Sequence, residues 1–122
     1  MIFVGFGYIS IVINTPNLKH RQQIGFVMIK VIIERKVAED LEPNYHEAIR
    51  TTLKAVLEAP GYMSSESLVD INNIHHKIII TNWTSVQAWQ QWYSSDARKQ
   101  ATSNISPMLD GGEKITILET RS

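Results

Sequence analysis

The chain has 122 residues, enough for one domain built on a single core. Twelve basic and twelve acidic side chains cancel and no basic run occurs, which argues against nucleic acid or an anionic membrane surface as a partner. There is no cysteine, so disulfides, thiolate nucleophiles, iron–sulfur clusters and cysteine-held zinc are excluded, and a reducing cytoplasm is the default location.

Composition breaks at Met28. Residues 1–27 hold all three phenylalanines and no acid, whereas residues 28–122 hold every acid and all three tryptophans. Met1 to Ile13 is an uncharged apolar run, but it is too short to span a bilayer, and it lacks the preceding positive charge and following cleavage site of a signal peptide. Residues 1–27 are therefore read as an extension upstream of a start at Met28 or a mobile leader, and residues 28–122 as the folded domain. The alternative is an added strand, since Ile9, Ile11 and Ile13 alternate with Ser10, Val12 and Asn14.

From Met28 onward, Ile29 to Val37 is rich in β-branched residues and reads as a first strand. Pro43 suits a first helical turn, after which Tyr45, Ile49, Leu53, Val56 and Leu57 recur at three- and four-residue spacing opposite His46, Glu47, Arg50 and Lys54. Ala59-Pro60-Gly61 ends that amphipathic helix. Tyr62 to Ile71 and His75 to Trp83 read as a hairpin turning at Asn72-Asn73. Thr84 with Gln87 has the form of a capping box, starting a second helix with Val86, Trp89 and Tyr93 on one stripe and Trp92 beside it. Further helical turns follow from Asp96 to Ile105, Asp110-Gly111-Gly112 turns the chain, and Glu113 to Glu119 is the last strand.

The order strand, helix, strand, strand, helix, strand predicts an α+β ferredoxin-like fold, a four-stranded antiparallel sheet with its helices on one face. Val31-Ile32-Ile33 and Ile78-Ile79-Ile80 put apolar side chains on both sheet faces. Helices can cover only one, so a homodimer packing sheet to sheet is expected.

Met28 to Glu119 resembles the antibiotic biosynthesis monooxygenase family of dimeric α/β barrels. The resemblance is carried by Pro60-Gly61-Tyr62-Met63 followed by Glu66-Ser67-Leu68, by Thr81-Asn82-Trp83 followed by Trp92-Tyr93-Ser94-Ser95-Asp96-Ala97-Arg98, and by Glu113-Lys114-Ile115-Thr116-Ile117. It implies a cofactor-independent oxygenase acting on a small phenolic, quinol or polyketide-like aromatic compound with O2. The same family includes haem-degrading members and proteins without assigned activity. In the haem-degrading branch a tryptophan matching Trp92 is joined by a first-strand asparagine and by a haem-ligating histidine ten residues later. Here those positions are Glu34 and Thr102, which makes haem binding the weaker alternative to a non-catalytic binding or stress-associated protein.

An oxygenase of this kind needs an apolar cavity, a proton acceptor and polar contacts to the resulting anion. Trp83 and Trp92 are candidate cavity walls, with Tyr62, Tyr45 and Asn82 as polar contacts, while Trp89 reads as core. Glu34, His46 and His75 are the candidate proton acceptors, Glu34 only if its strand phase faces the helices. His75 and His76 point to opposite faces of their strand and cannot share a metal ion. Arg98 is expected to pair with Asp96 or Glu34. No phosphate loop, dinucleotide fingerprint, nucleophile elbow or metal cluster occurs in the sequence, so no cofactor or metal is expected.

Overall fold

A computed structural model of the protein describes residues 27–120. The expected upstream extension and its alternative strand, apart from Val27, lie outside the described residues. Strand β1 (Ile29–Lys36) leads to helix α1 (Glu42–Val56), the hairpin β2 (Tyr62–Asp70) and β3 (Asn73–Trp83), helices α2 (Val86–Tyr93) and α3 (Asp96–Thr102), a 3-10 turn (Ser106–Met108) and β4 (Lys114–Glu119). The sheet order is β2-β3-β1-β4 with every pairing antiparallel, which is the ferredoxin-like topology.

Strand phase decides which side chains meet the helices. In β1 the buried set is Ile29, Val31, Ile33 and Arg35, so Lys30, Ile32, Glu34 and Lys36 lie on the opposite face. The register carries this alternation across the sheet, setting Arg35 opposite Lys77, Ile33 opposite Ile79 and Val31 opposite Thr81. The core closes where these residues meet Tyr45, Ile49 and Val56 of α1, Trp89 and Trp92 of α2, and Ile105. The outer face carries half-buried Ile32, Ile78 and Ile80 with exposed Leu68 and Leu118.

Three local expectations shift. Ser85, not Thr84, caps α2: its hydroxyl accepts from the Ala88 N–H at 3.1 Å. Thr84 is held out of the helix because its own N–H donates to the Gly61 carbonyl at 2.9 Å. Gly61 has φ +86°, and a Cβ there would stand 2.4 Å from Ala88 Cβ and 2.7 Å from Thr84 Oγ1, so only glycine lets β2 start this close to α2. The hairpin turns at Ile71-Asn72, one residue earlier than expected, because Asp70 Oδ1 accepts the Asn72 N–H at 2.8 Å and Asn73 already belongs to β3. Leu57 follows the last residue of α1 and is exposed, since the helix has ended before it can turn inward.

Candidate functional site

Between the sheet and the helices lies a small cavity. Its floor is the inner phase of the sheet, Ile33 and Arg35 of β1 with Ile79 and Thr81 of β3. Helix α1 contributes Ile49, Thr52, Leu53 and Val56, α2 contributes Trp89 and Trp92, and α3 contributes Arg98 and Thr102. Its volume is about 30 Å³, room for water-sized occupants, whereas a single benzene ring takes a cavity of roughly 150 Å³. A larger depression of about 190 Å³ beside Val27, Ile29 and Val86 is open to the surface and has no comparable cluster of charged side chains.

The cavity has one polar end. Arg35 Nε donates to Glu113 Oε2 at 3.0 Å, Arg98 Nη2 donates to Glu113 Oε1 at 2.9 Å, and Arg35 Nη1 donates to the Tyr45 hydroxyl at 3.3 Å. Burial pushes the Glu113 carboxyl up, but the two guanidiniums outweigh it and hold the group below its ordinary value, so it is ionised. Burial pushes the Tyr45 phenol up despite Arg35, leaving it neutral. The Arg98 guanidinium also lies 4.7 Å from the Tyr93 ring and 5.8 Å from the Trp89 ring, which couples the polar end to the aromatic wall. The threonines are turned mostly to the backbone: Thr52 Oγ1 donates to the Ala48 carbonyl and Thr102 Oγ1 to the Arg98 carbonyl. Thr81 Oγ1 accepts from Trp83 Nε1 at 2.8 Å.

Of the expected cavity walls, Trp92 lines this space. Trp83 lies behind it, fully buried, edge-on to Tyr62 at 5.5 Å and to Trp89 at 5.7 Å, so it props the wall. Trp89, expected as core, is both core and wall. Tyr45 touches the polar end through Arg35, whereas the Tyr62 hydroxyl is 2.6 Å from Ser65 Oγ and belongs to the hairpin. Asn82 lies on the outer face, accepting from Lys30 Nζ at 2.8 Å and donating to Ser64 Oγ.

None of the three expected proton acceptors lines the cavity. Glu34 is in the outward phase of β1, its Oε1 3.2 Å from His76 Nε2. His76 in turn has its Nδ1 3.2 Å from Asp70 Oδ2, and these two carboxylates, Asp70 first, raise its pKa. His46 is exposed on α1. His75 faces Glu42, its Nδ1 3.4 Å from Oε2, and the same carboxylate is ion-paired with buried Lys77, whose hydrogen bond lowers its pKa. The expected pairing of Arg98 with Asp96 or Glu34 is replaced by Glu113, because Arg98 is on the buried face of α3 while Glu34 lies across the sheet.

Arg35, like Glu113, is a residue that sequence reasoning passed over. Its signal was available: it occupies the phase of Ile29, Val31, Ile33 and Val37, and a lone arginine in the apolar phase of a strand is a buried charge that needs a purpose. Among the described residues no group of three His, Cys, Asp or Glu side chains is placed to hold a metal ion, and no helix is long and apolar enough to cross a membrane.

A sequence profile described as Antibiotic biosynthesis monooxygenase matches residues 28–103. No curated protein matches the chain. Among solved structures, a conserved protein from Methanosarcina mazei Go1 is similar at a TM-score of 0.73 and 16% identity, covering 80% of this chain and 96% of that one. SnoaB, a cofactor-independent oxygenase from Streptomyces nogalater, is similar at a TM-score of 0.71 and 10% identity, covering 79% and 95%. Rv0793 from Mycobacterium tuberculosis is similar at 0.69 and 12%, covering 78% and 96%. At such identities the structures establish the shared fold alone.

Proposed function

We propose that this chain, which belongs to the antibiotic biosynthesis monooxygenase family, is a cofactor-independent monooxygenase of a small phenolic, quinol or polyketide-like aromatic compound. The observation that carries this reading is the cavity itself: an apolar slot faced by Trp89 and Trp92, ending at Arg35 and Arg98. A flat, electron-rich ring suits the indole wall, and its oxygen suits the guanidinium end. For an anthrone-like substrate the chemistry balances without an external reductant. A ring CH2 becomes C=O, one oxygen atom of O2 enters the product, and the other leaves as water with the two hydrogens.

Occupation by such a ring requires the cavity to grow about fivefold toward the roughly 150 Å³ that benzene takes. The movable wall is apolar α1 with Trp92, since the sheet floor is held by its backbone ladder. We further propose that the outer sheet face, with half-buried Ile32, Ile78 and Ile80, pairs with a second copy of the chain. A family of dimeric barrels supports that arrangement.

One observation favours a second reading, a non-catalytic small-molecule-binding protein: Glu34, His46 and His75 all lie off the cavity lining. Oxygen uptake separates the two. Chelator-treated, flavin-free protein is offered a panel of hydroquinones and anthrones in air, with Trp92→Ala and Glu34→Gln alongside. The enzyme reading expects uptake above autoxidation that Trp92→Ala abolishes and Glu34→Gln retains. Ligand-dependent quenching of tryptophan fluorescence without uptake across the panel would favour the binding protein.

A further inference from the structure

Charge at the polar end of the cavity does not balance. Arg35 and Arg98 are 2% and 8% exposed, and both are paired with the one carboxylate of Glu113. The neighbouring inward cation, Lys77 of β3, is matched by Glu42 of α1. Tyr45, the phenol of α1 that meets Arg35, contributes no charge. His75 shares the Glu42 carboxylate with Lys77 and so brings no further anion. Among the described residues three cations therefore face two carboxylates, a surplus of one positive charge beside the cavity.

Buried charges are ordinarily matched, because an unmatched one keeps its desolvation cost. Among the described residues no further carboxylate pairs with either guanidinium, and both arginines line the cavity. Hydrogen bonds engage two N–H groups of Arg35 and one of Arg98, out of five on each, so donors remain for a further acceptor.

Resting on the reading of this cavity as the ligand site, we infer that it takes its aromatic ligand as an anion, the oxygen charge held between Arg35 and Arg98 and the ring against Trp89 and Trp92. A fixed positive charge close to an acid lowers its pKa by about 1–3 units. A phenol whose solution pKa lies within that span above the ambient pH therefore gives up its proton to solvent between the two guanidiniums, unlike Tyr45, which meets Arg35 alone and stays neutral, and no carboxylate or imidazole base is needed. The missing base at the cavity wall and the surplus guanidinium are then two sides of one arrangement. The same end would accept an aromatic carboxylate, which is already an anion.

The test reads the protonation state of a bound chromophore, with no turnover involved. 4-Nitrophenol, whose phenolate has its own visible band, is titrated with the full chain at a pH about one unit below its solution pKa. The expected result is a phenolate band on binding, equivalent to a pKa lowered by at least about one unit. Arg98→Gln leaves Arg35 and Glu113 as a balanced pair and should abolish the band. Glu113→Gln removes the compensating carboxylate and should strengthen it. Arg35→Gln replaces Arg98→Gln if the latter does not fold. Displacement of the probe by benzoate would assign the anion to a carboxylate ligand, and displacement by phenol alone would assign it to a phenolic one. A bound probe that stays neutral, no binding, or displacement by benzyl alcohol as good as by either anion would overturn the inference. Persistent oxygen uptake with a neutral bound probe defeats only this inference, while a phenolate band without oxygen uptake on any substrate defeats only the oxygenase reading.

Discussion

Gly61→Ala tests the packing that holds the tryptophan wall in place. The new Cβ would stand 2.4 Å from Ala88 Cβ and 2.7 Å from Thr84 Oγ1, in a backbone with φ +86°. A left-handed conformation costs a non-glycine residue roughly 1–2 kcal/mol. Forcing a methyl into a filled space costs about 1–3 kcal/mol more. Against this, alanine narrows the unfolded ensemble and returns about 0.4–1 kcal/mol. The balance is a loss of roughly 1–5 kcal/mol, and for a domain near 100 residues each kcal/mol lowers Tm by about 4–8 °C. Because Ala88 precedes Trp89, the displaced turn also moves the indole, so urea unfolding followed by tryptophan emission should show a lower midpoint and an altered native spectrum. Adding Ala88→Gly removes the closer clash and should recover about 1 kcal/mol in a double-mutant cycle despite its own helix cost. A Gly61→Ala protein as stable as the parent, or a cycle with no coupling, would refute the close approach of β2 to α2.

Ser85→Ala removes the α2 cap and should cost about 1 kcal/mol, whereas Thr84→Ala should stay within about 0.5 kcal/mol; chemical unfolding of both separates the two cap assignments. His76 has a raised pKa, so its imidazolium supports the folded state fully below about pH 6.5 and loses that support as pH rises through the raised value. Asp70 has a lowered pKa, so its share is present above about pH 4 and is lost as acid takes the pH through the lowered value. In His76→Gln the decline of stability above about pH 6.5 should flatten in a Tm series across pH, and an unchanged profile would remove this cluster from the account. Ile80→Glu, on the outer face beside Ile32, should give a monomer by light scattering if a second copy covers that face; a parent protein that is already monomeric would end that proposal.

The fold was legible because period and punctuation agreed. Pro43 and Pro60-Gly61 bracket α1, and Asp110-Gly111-Gly112 precedes β4, as the backbone conformations of proline and glycine require. The site was legible only in part. Trp92 reached the cavity, but the phase of Glu34 stayed open although Ile29, Val31, Ile33 and Val37 share the phase of Arg35 and only Ile32 is apolar in that of Glu34. What the strand could not show is which groups of α1 and α3 would meet Arg35, namely Tyr45 and, through Glu113, Arg98. Glu113 escaped for a similar reason: it lies outside the strand it was assigned to, and its importance comes from two arginines 78 and 15 residues away in the chain.

The outer face also carries a row of side chains drawn from all four strands: Asp70 of β2, His76 of β3, Glu34 of β1 and Lys114 of β4. With the imidazole protonated, the signs along the row run minus, plus, minus, plus in the spatial order of the strands. Orders that break the alternation put like charges side by side; lifting β3 out, for example, leaves Asp70 next to Glu34. The row thus penalises those misassembled sheets that bring like charges together, which the interchangeable isoleucines beside it would tolerate.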